Sequence, residues 1–212
     1  RRSVILPSWK GWLLLGSLTA LLGTVVLKGA YPYLAPDSRH LHADVVILEG
    51  WVSDQIVAQA KREFDEGRCD IICTAGVDLD KGEILLPWKD WANVAAETLK
   101  KSGVPAEKIL VASAGSQQRH RTYQGFIAAK KKLATLKKPR PLKINVVSEG
   151  PHGRRSSIVA RKIFGDEAII GMVLIEPNSY DPKRWWTSSS GTKSIVMELI
   201  ASTYEIFADS GR

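Results

Sequence analysis

No Gly-x-Ser-x-Gly elbow, Walker loop, His-Glu-x-x-His helix or Gly-x-Gly-x-x-Gly fingerprint occurs in this 212-residue sequence. Those patterns place a nucleophile, cradle a phosphate, hold a zinc ion or approach a dinucleotide, so a hydrolase triad, an NTPase and a zinc protease each lose support. Cysteine is scarce: Cys69 and Cys73 are the only two. Two thiolates fall short of the four-cysteine set of a structural zinc site. On an extended strand they would stand about 13 Å apart, too far to bond. They read as free, buried thiols. No low-complexity tract or solenoid-type repeat is present. Hydrophobic residues at 44% and charged residues at 25% argue against long disorder.

Acidic residues are missing altogether from positions 1–36, which carry Arg1, Arg2, Lys10 and Lys28. The remaining 26 basic residues face all 22 acidic ones, so the rest of the chain is only mildly basic. A dense cationic stripe is lacking, and no nucleic-acid partner is expected.

Within the acid-free segment, Gly11 to Leu27 is an uncharged run of 17 residues. That length lies at the short end for a membrane-spanning helix. Trp9 and Trp12 flank one end, Tyr31 and Tyr33 the other, as interfacial belts require. Lys28 can snorkel to the interface. The basic residues before the run predict a cytoplasmic N-terminus and a domain across the membrane. A cleaved signal peptide and a buried soluble helix are the rival readings. Lys28 and the bulky Tyr31-Pro32-Tyr33 fit a small-residue cleavage site poorly. Pro32 and Pro36 are expected to end the helix. The chain thus divides into an anchor, 1–36, and an extracytoplasmic α/β domain, 37–212.

Four β-prone runs in that domain close on a glycine: 45–50, 71–76, 109–115 and 144–150. Runs this apolar suit strands buried on both faces. Helical spacing separates them, as in Ile56, Ala60 and Phe64, or Trp91, Ala95 and Leu99. A fifth strand is expected over 168–175 and a last helix around Val196 to Phe207. Strand alternating with helix predicts a parallel sheet with helices on both faces, with ligands at the strands' carboxyl ends. The long connection 77–90, with Asp78, Asp80, Glu83 and Trp88, has the length of a lid or binding loop.

The most informative stretch is Ser148-Glu149-Gly150-Pro151-His152-Gly153-Arg154-Arg155-Ser156, between a strand and a helix. A helix N-terminus attracts anions, and arginine grips phosphate or carboxylate with paired bonds. Arg154 and Arg155 are therefore candidate anion ligands, with ion pairing to Asp166 and Glu167 as the plainer alternative. His152 is a candidate acid–base group. Glu49 and Glu149 hold equivalent places after two strands. Two carboxylates facing one cleft could do acid–base work or hold a divalent cation, or each could simply be solvated. Ser116 to Thr122 offer donors and a helix cap. The basic stretch from Lys130 to Lys143 reads as a solvated helix end, or as a contact for anionic lipid or polysaccharide. Most tryptophans of the domain are expected to pack in its core or rim.

Taken in order, several segments resemble the ElyC/SanA/YdcF family of bacterial domains. They are Ala43 to Gly50, Thr74-Ala75-Gly76, Gly103-Val104-Pro105 with Ile109, Thr122-Tyr123, Ser148 with His152, Arg155 and Ser156, and Trp185-Trp186 with Glu198 and Tyr204. The resemblance covers about residues 43 to 207. It implies a Rossmann-like fold, a role in envelope or cell-wall biogenesis, and Gly50, Gly76, Thr122, His152 and Arg155 as site residues. One cytosolic relative is associated with S-adenosylmethionine binding, and the cofactor of this chain stays open. The reading that results is a membrane-anchored envelope protein that binds an anionic, phosphorylated ligand: a nucleotide, a nucleotide-sugar or a lipid-carrier phosphate. A hydrolase or transferase acting on polyprenyl phosphate or polysaccharide, and a non-catalytic assembly protein with envelope partners, are the alternatives.

Overall fold

The uncharged run forms the middle of one long helix, α1 (Trp9–Leu34), in a computed structural model that describes residues 7–49, 53–79, 87–116, 119–208 and 210–211. Ser8 caps it, its Oγ accepting from the Gly11 N–H at 3.3 Å. At 26 residues it is about 39 Å long, and it is apolar enough to cross a membrane. Pro32 does not end it. A proline in the last turn forfeits only one backbone bond, and the helix continues to Leu34.

Five strands follow: β1 (Ala43–Glu49), β2 (Cys69–Gly76), β3 (Ile109–Ser113), β4 (Leu142–Glu149) and β5 (Ala168–Ile175). All pair in parallel, in the order β3-β2-β1-β4-β5. Between them lie α2 (Asp54–Asp65), α3 (Trp91–Lys101), α4 (Arg121–Leu133) and α5 (His152–Phe164), and α6 (Ser189–Phe207) comes last. The fold is a Rossmann-like parallel sheet with helices on both faces. Ile56, Ala60, Ala95 and Leu99 pack α2 and α3 against Val46, Leu48 and Ile72 on one face. Phe126, Leu133, Val159 and Phe164 pack α4 and α5 against Val45, Ile47 and Ile144 on the other. The chain changes face at α4, so β1 and β4 are neighbours whose outgoing helices leave on opposite faces. That is the switch point at which such sheets bind ligands.

Gly76 closes β2 where α3 begins. A Cβ there would stand 2.6 Å from the Ala92 backbone nitrogen, so the strand end tolerates only glycine. Cys69 and Cys73 are buried and unpaired, and burial pushes both thiols up to about 12. They are packing residues.

The end of α1 is docked on the domain. Leu27, Ala30 and Leu34 pack with Trp185, Ile195 and Leu199, and the Trp185 indole donates to the Leu27 carbonyl at 2.9 Å. Tyr31 lies over Gly150, at the carboxyl end of β4: a Cβ on that glycine would come within 3.2 Å of the tyrosine hydroxyl. From there residues 36–42 run back along β5. The Ser38 N–H donates to Met172 O at 3.1 Å, and His40 Nε2 meets Ile169 O at 3.0 Å. The buried Asn145 side chain holds the His40 backbone through two bonds of 2.9 Å. The helix therefore arrives at the carboxyl edge of the sheet, and the linker returns the chain to the amino edge, where β1 starts.

Helix α6 runs alongside α5 in the same direction. Its Glu198 meets the first turn of α5, and its Glu205 carbonyl accepts from Lys162 near the end of α5. Residues of α6 before Glu198 thus extend beyond the carboxyl edge, beside α1.

Candidate functional site

His152, Arg155 and Ser156 recur at three- and four-residue spacing in the first turn of α5, so they share one side of the helix. That side faces the end of β1 and the inner face of α6. His152 Nε2 lies 3.0 Å from Glu49 Oε2, and Nδ1 lies 3.1 Å from Glu198 Oε1. Ser156 Oγ donates to Glu49 Oε2 at 2.9 Å. Arg155 grips Glu198 with two bonds, Nε to Oε2 and Nη2 to Oε1, both 2.9 Å. Glu49 and His152 are 4% and 6% exposed.

Two carboxylates and two cations make this cluster neutral when all four are charged. Burial works against the imidazolium, but Glu49 and Glu198 outweigh it and push His152 up to about 9. Burial likewise works against the Glu198 carboxylate, yet bonds from His152 and Arg155 bring it down to about 2. Burial opposes the Glu49 carboxylate too, and His152 with Ser156 overcomes that cost and lowers it. The upward shift favours the imidazolium, with Nε2 toward Glu49, while Nδ1 is shared between Glu198 Oε1 and Arg155 Nη2, which lies 2.9 Å away. Tied on both sides in this way, the ring is less ready to act as a base.

Glu149 does not join Glu49. In the β1–β4 register Leu48 pairs with Val147, so Glu49 is level with Ser148 and Glu149 lies one residue further. Side chains alternate along a strand, so that single step gives the two carboxylates opposite pleat positions. Glu149 lines a small cavity of about 260 Å³ with His152, Glu198, Tyr180 and Ser194, and so borders the same cluster from another side. Ser148 is fully buried, on the same side as Glu49.

Arg154 turns away from the strand-end cleft. Its guanidinium stacks 3.8 Å above the Tyr33 ring and donates to the Tyr33 carbonyl at 3.2 Å, clamping the end of α1. The expected anion ligand is thus an anchor clamp, because the apolar helix docks beside it. Asp166 and Glu167 lie at the far end of α5, where Lys130 meets Glu167 at 2.7 Å. Lys138 bridges Asp44 and Asp70 at the amino edge, far along the sheet from where α1 docks. Gly50, Trp51, Asp80 and Glu83 lie outside the described residues. The two ends of the long connection are zipped together, Leu79 N–H to Lys89 O at 2.9 Å and Trp91 N–H to Val77 O at 3.0 Å. Trp88 is covered by the Lys101 ammonium at 5.6 Å.

A cavity of about 740 Å³ lies at the carboxyl edge where β2, β3 and β4 hand over to α3, α4 and α5. Trp91, His120, Arg121, Thr122 and Arg155 line it, with Met197, Ile200 and Tyr204 of α6 opposite. No side chain among the described residues caps α4, whose first turn holds no acid, and His120 at its start has a left-handed backbone (φ 54°). The His120 ring stacks near Tyr204, centroids 6.5 Å apart. The N–H groups of a helix start, with arginine beside them, suit an anion. Thr122 and Arg155 are brought to this cavity. Gly76 closes the strand below it.

Glu198 is not among the site candidates that the sequence yields, although the family resemblance includes it. Its signal is an acid on the same helical stripe as Gly191, Ile195, Ser202 and Glu205, all buried. An acid there needs a buried cation.

No protein-family model matches the chain, and no curated protein matches it in sequence. The fold and site define its class: a Rossmann-like α/β domain behind a helix able to span a membrane.

Proposed function

We propose that this chain is a single-pass envelope protein of the bacterial inner membrane whose strand-end cleft binds an anionic, phosphorylated ligand. In this reading the N-terminus is cytoplasmic and the domain periplasmic or extracellular, as the four basic residues and absent acids before position 37 favour. Membership of the ElyC/SanA/YdcF family is part of the same proposal and rests on the ordered segments described above.

The observation that carries it is the 740 Å³ cavity at the switch-point edge, into which the start of α4 opens beside Arg121, His120 and Arg155. Among the described residues one acid, Glu205, lines it. The buried Glu49–His152–Glu198–Arg155 cluster fixes the α5 wall, so Arg155 presents its remaining surface in one place. A hydrolase or transferase reading draws less support, because both His152 ring nitrogens are already tied, to Glu49, Glu198 and Arg155. Nucleotides, nucleotide-sugars and lipid-carrier phosphates all carry the required anion.

The test is a thermal-shift screen of the full chain in nanodiscs. Truncation at residue 37 would strip Leu27, Ala30 and Leu34 from Trp185 and Ile195. Ligand at about 100 times its dissociation constant should add roughly 2.7 kcal/mol of stability. The shift should vanish in Arg121→Ala and persist in Arg154→Ala. A shift that ignores Arg121 would remove the cleft from consideration.

A further inference from the structure

The outer face of α6 carries a stripe that the domain leaves uncovered. Val196, Met197, Ile200, Tyr204 and Phe207 fall on one side of the helix at three- and four-residue spacing, and all are exposed, Ile200 at 61% and Phe207 at 82%. A contiguous apolar face of this kind marks an interaction site. Two cavities lie along it. One is the anion cleft, walled by Met197, Ile200 and Tyr204. The other, about 560 Å³, is lined by Trp186, Lys193, Val196 and Met197. Met197 lines both, so the two cavities adjoin along the stripe.

The second cavity is fixed relative to the anchor. The 3-10 helix Pro182–Thr187 leads into α6, and within it Trp185 bonds to the carbonyl of Leu27, the last residue of the uncharged run. Trp186 packs edge-on against Trp185, at 5.9 Å between ring centroids. The second cavity therefore lies near the end of the uncharged run of α1, and indole side chains favour a membrane interface. From Ser189 to Met197 the helix climbs about 12 Å. Beyond Met197 lie Arg121, His120 and the start of α4.

We propose that the ligand of the cleft is an anionic amphiphile drawn from the bilayer, with its head at the α4 N-terminus and Arg155 and its chain along the α6 stripe toward Trp186. The proposal rests on the anion-cleft reading and specifies its source. Charge and polarity agree along the two cavities: Arg121 and Arg155 with a single acid, Glu205, at the domain end, apolar side chains between, and Trp186 at the end beside α1. Lys193 beside the lower cavity suits a surface of anionic headgroups. A soluble phosphate would use the first part and leave the stripe bare.

The experiment compares dodecyl phosphate, inorganic phosphate and dodecanol on the full chain in phosphatidylcholine nanodiscs, with a chain-borne diazirine analogue of dodecyl phosphate to map contacts. Val196→Asp is the variant of choice, since Val196 lines the lower cavity and not the cleft, and its exposure leaves folding undisturbed. The expected result is binding of dodecyl phosphate at least about tenfold tighter than inorganic phosphate, since each buried methylene adds to affinity. Labels should fall on Val196, Met197 and Ile200. Val196→Asp should weaken the alkyl phosphate about tenfold and leave inorganic phosphate unchanged. Equal affinity for the two phosphates, indifferent to Val196→Asp, would overturn the amphiphile and leave the cleft standing. Failure of both phosphates would remove the cleft and the amphiphile together. Labels bridging two copies through α6 would assign the stripe to self-association and overturn the proposal.

Discussion

Glu49 and Glu149 end neighbouring parallel strands, and each precedes a glycine; by sequence they are twins. Their surroundings meet only at His152 and Glu198, which hold the Glu49 cluster together and line the cavity beside Glu149. Glu49 is buried against an imidazolium and a serine hydroxyl, and Glu149 borders an open cavity. One residue of register separates them, and in a sheet one residue exchanges faces. The face that receives Glu49 is the one on which α5 and α6 bring His152, Arg155 and Glu198. Equivalent position in a repeated strand–turn grammar therefore does not mean equivalent chemistry; pairing decides it.

The sharpest way to break the comparison is to remove each carboxylate. Glu49→Ala leaves the His152 imidazolium buried with one counter-charge fewer, and it strands the Ser156 hydroxyl. Breaking a buried pair in this way costs about 3–5 kcal/mol. Urea unfolding followed by circular dichroism should show the midpoint fall accordingly. A loss below about 1 kcal/mol would mean that His152 simply gives up its proton and that the cluster is not a charged one.

Next in size is the pH response of the same cluster. His152 stands at about 9 in the folded chain against an ordinary 6.5, so its contribution is complete below 6.5 and is lost as pH rises through 9. The interval corresponds to about 3 kcal/mol. Glu198, at about 2 against 4.5, behaves oppositely: its contribution is complete above 4.5 and is lost as pH falls through 2. Stability from the cluster should thus be flat between pH 4.5 and 6.5 and decline on both sides. NMR titration of the His152 ring would locate the upper limb; a midpoint near 6.5 would contradict it.

Arg154 and Arg155 form a second pair of sequence twins, and they too part company. Arg154→Ala removes a cation–π contact and one bond to the Tyr33 carbonyl, about 1–2 kcal/mol of local stability. The loss should appear as faster amide exchange at the end of α1, with the strand-end cleft unaltered.

Much of the architecture is legible in the sequence because it is written in local periodicity. The apolar runs mark all five strands, and 168–175 coincides with β5. The apolar helix, the parallel sheet and the helices on both faces follow from the same patterns. What is not legible depends on non-local placement. Strand order β3-β2-β1-β4-β5 is set by where each helix crosses, which no local pattern records. Glu198 lies 46 positions from His152 in sequence. Arg154 reads as an anion ligand because its real partner, Tyr33, sits in the anchor, 121 positions away. His152 and Arg155 stand together on one turn, as their spacing requires, but they meet each other and carboxylates of this chain.

The smallest expected effect is also the one that isolates the register argument. Glu149→Gln keeps shape and removes charge at a half-buried site that borders a cavity. Substitutions away from buried networks usually stay within about 0.5 kcal/mol, and this one should too. The His152 titration should likewise be unchanged, since the ring nitrogens bond to Glu49 and Glu198. Measuring both in one variant separates two possibilities. If stability and the His152 midpoint both hold, the one-residue offset is sufficient to insulate the two carboxylates across the sheet. If the midpoint drops while stability holds, Glu149 supports the imidazolium through the cavity they share, and the two strand ends form one electrostatic site after all.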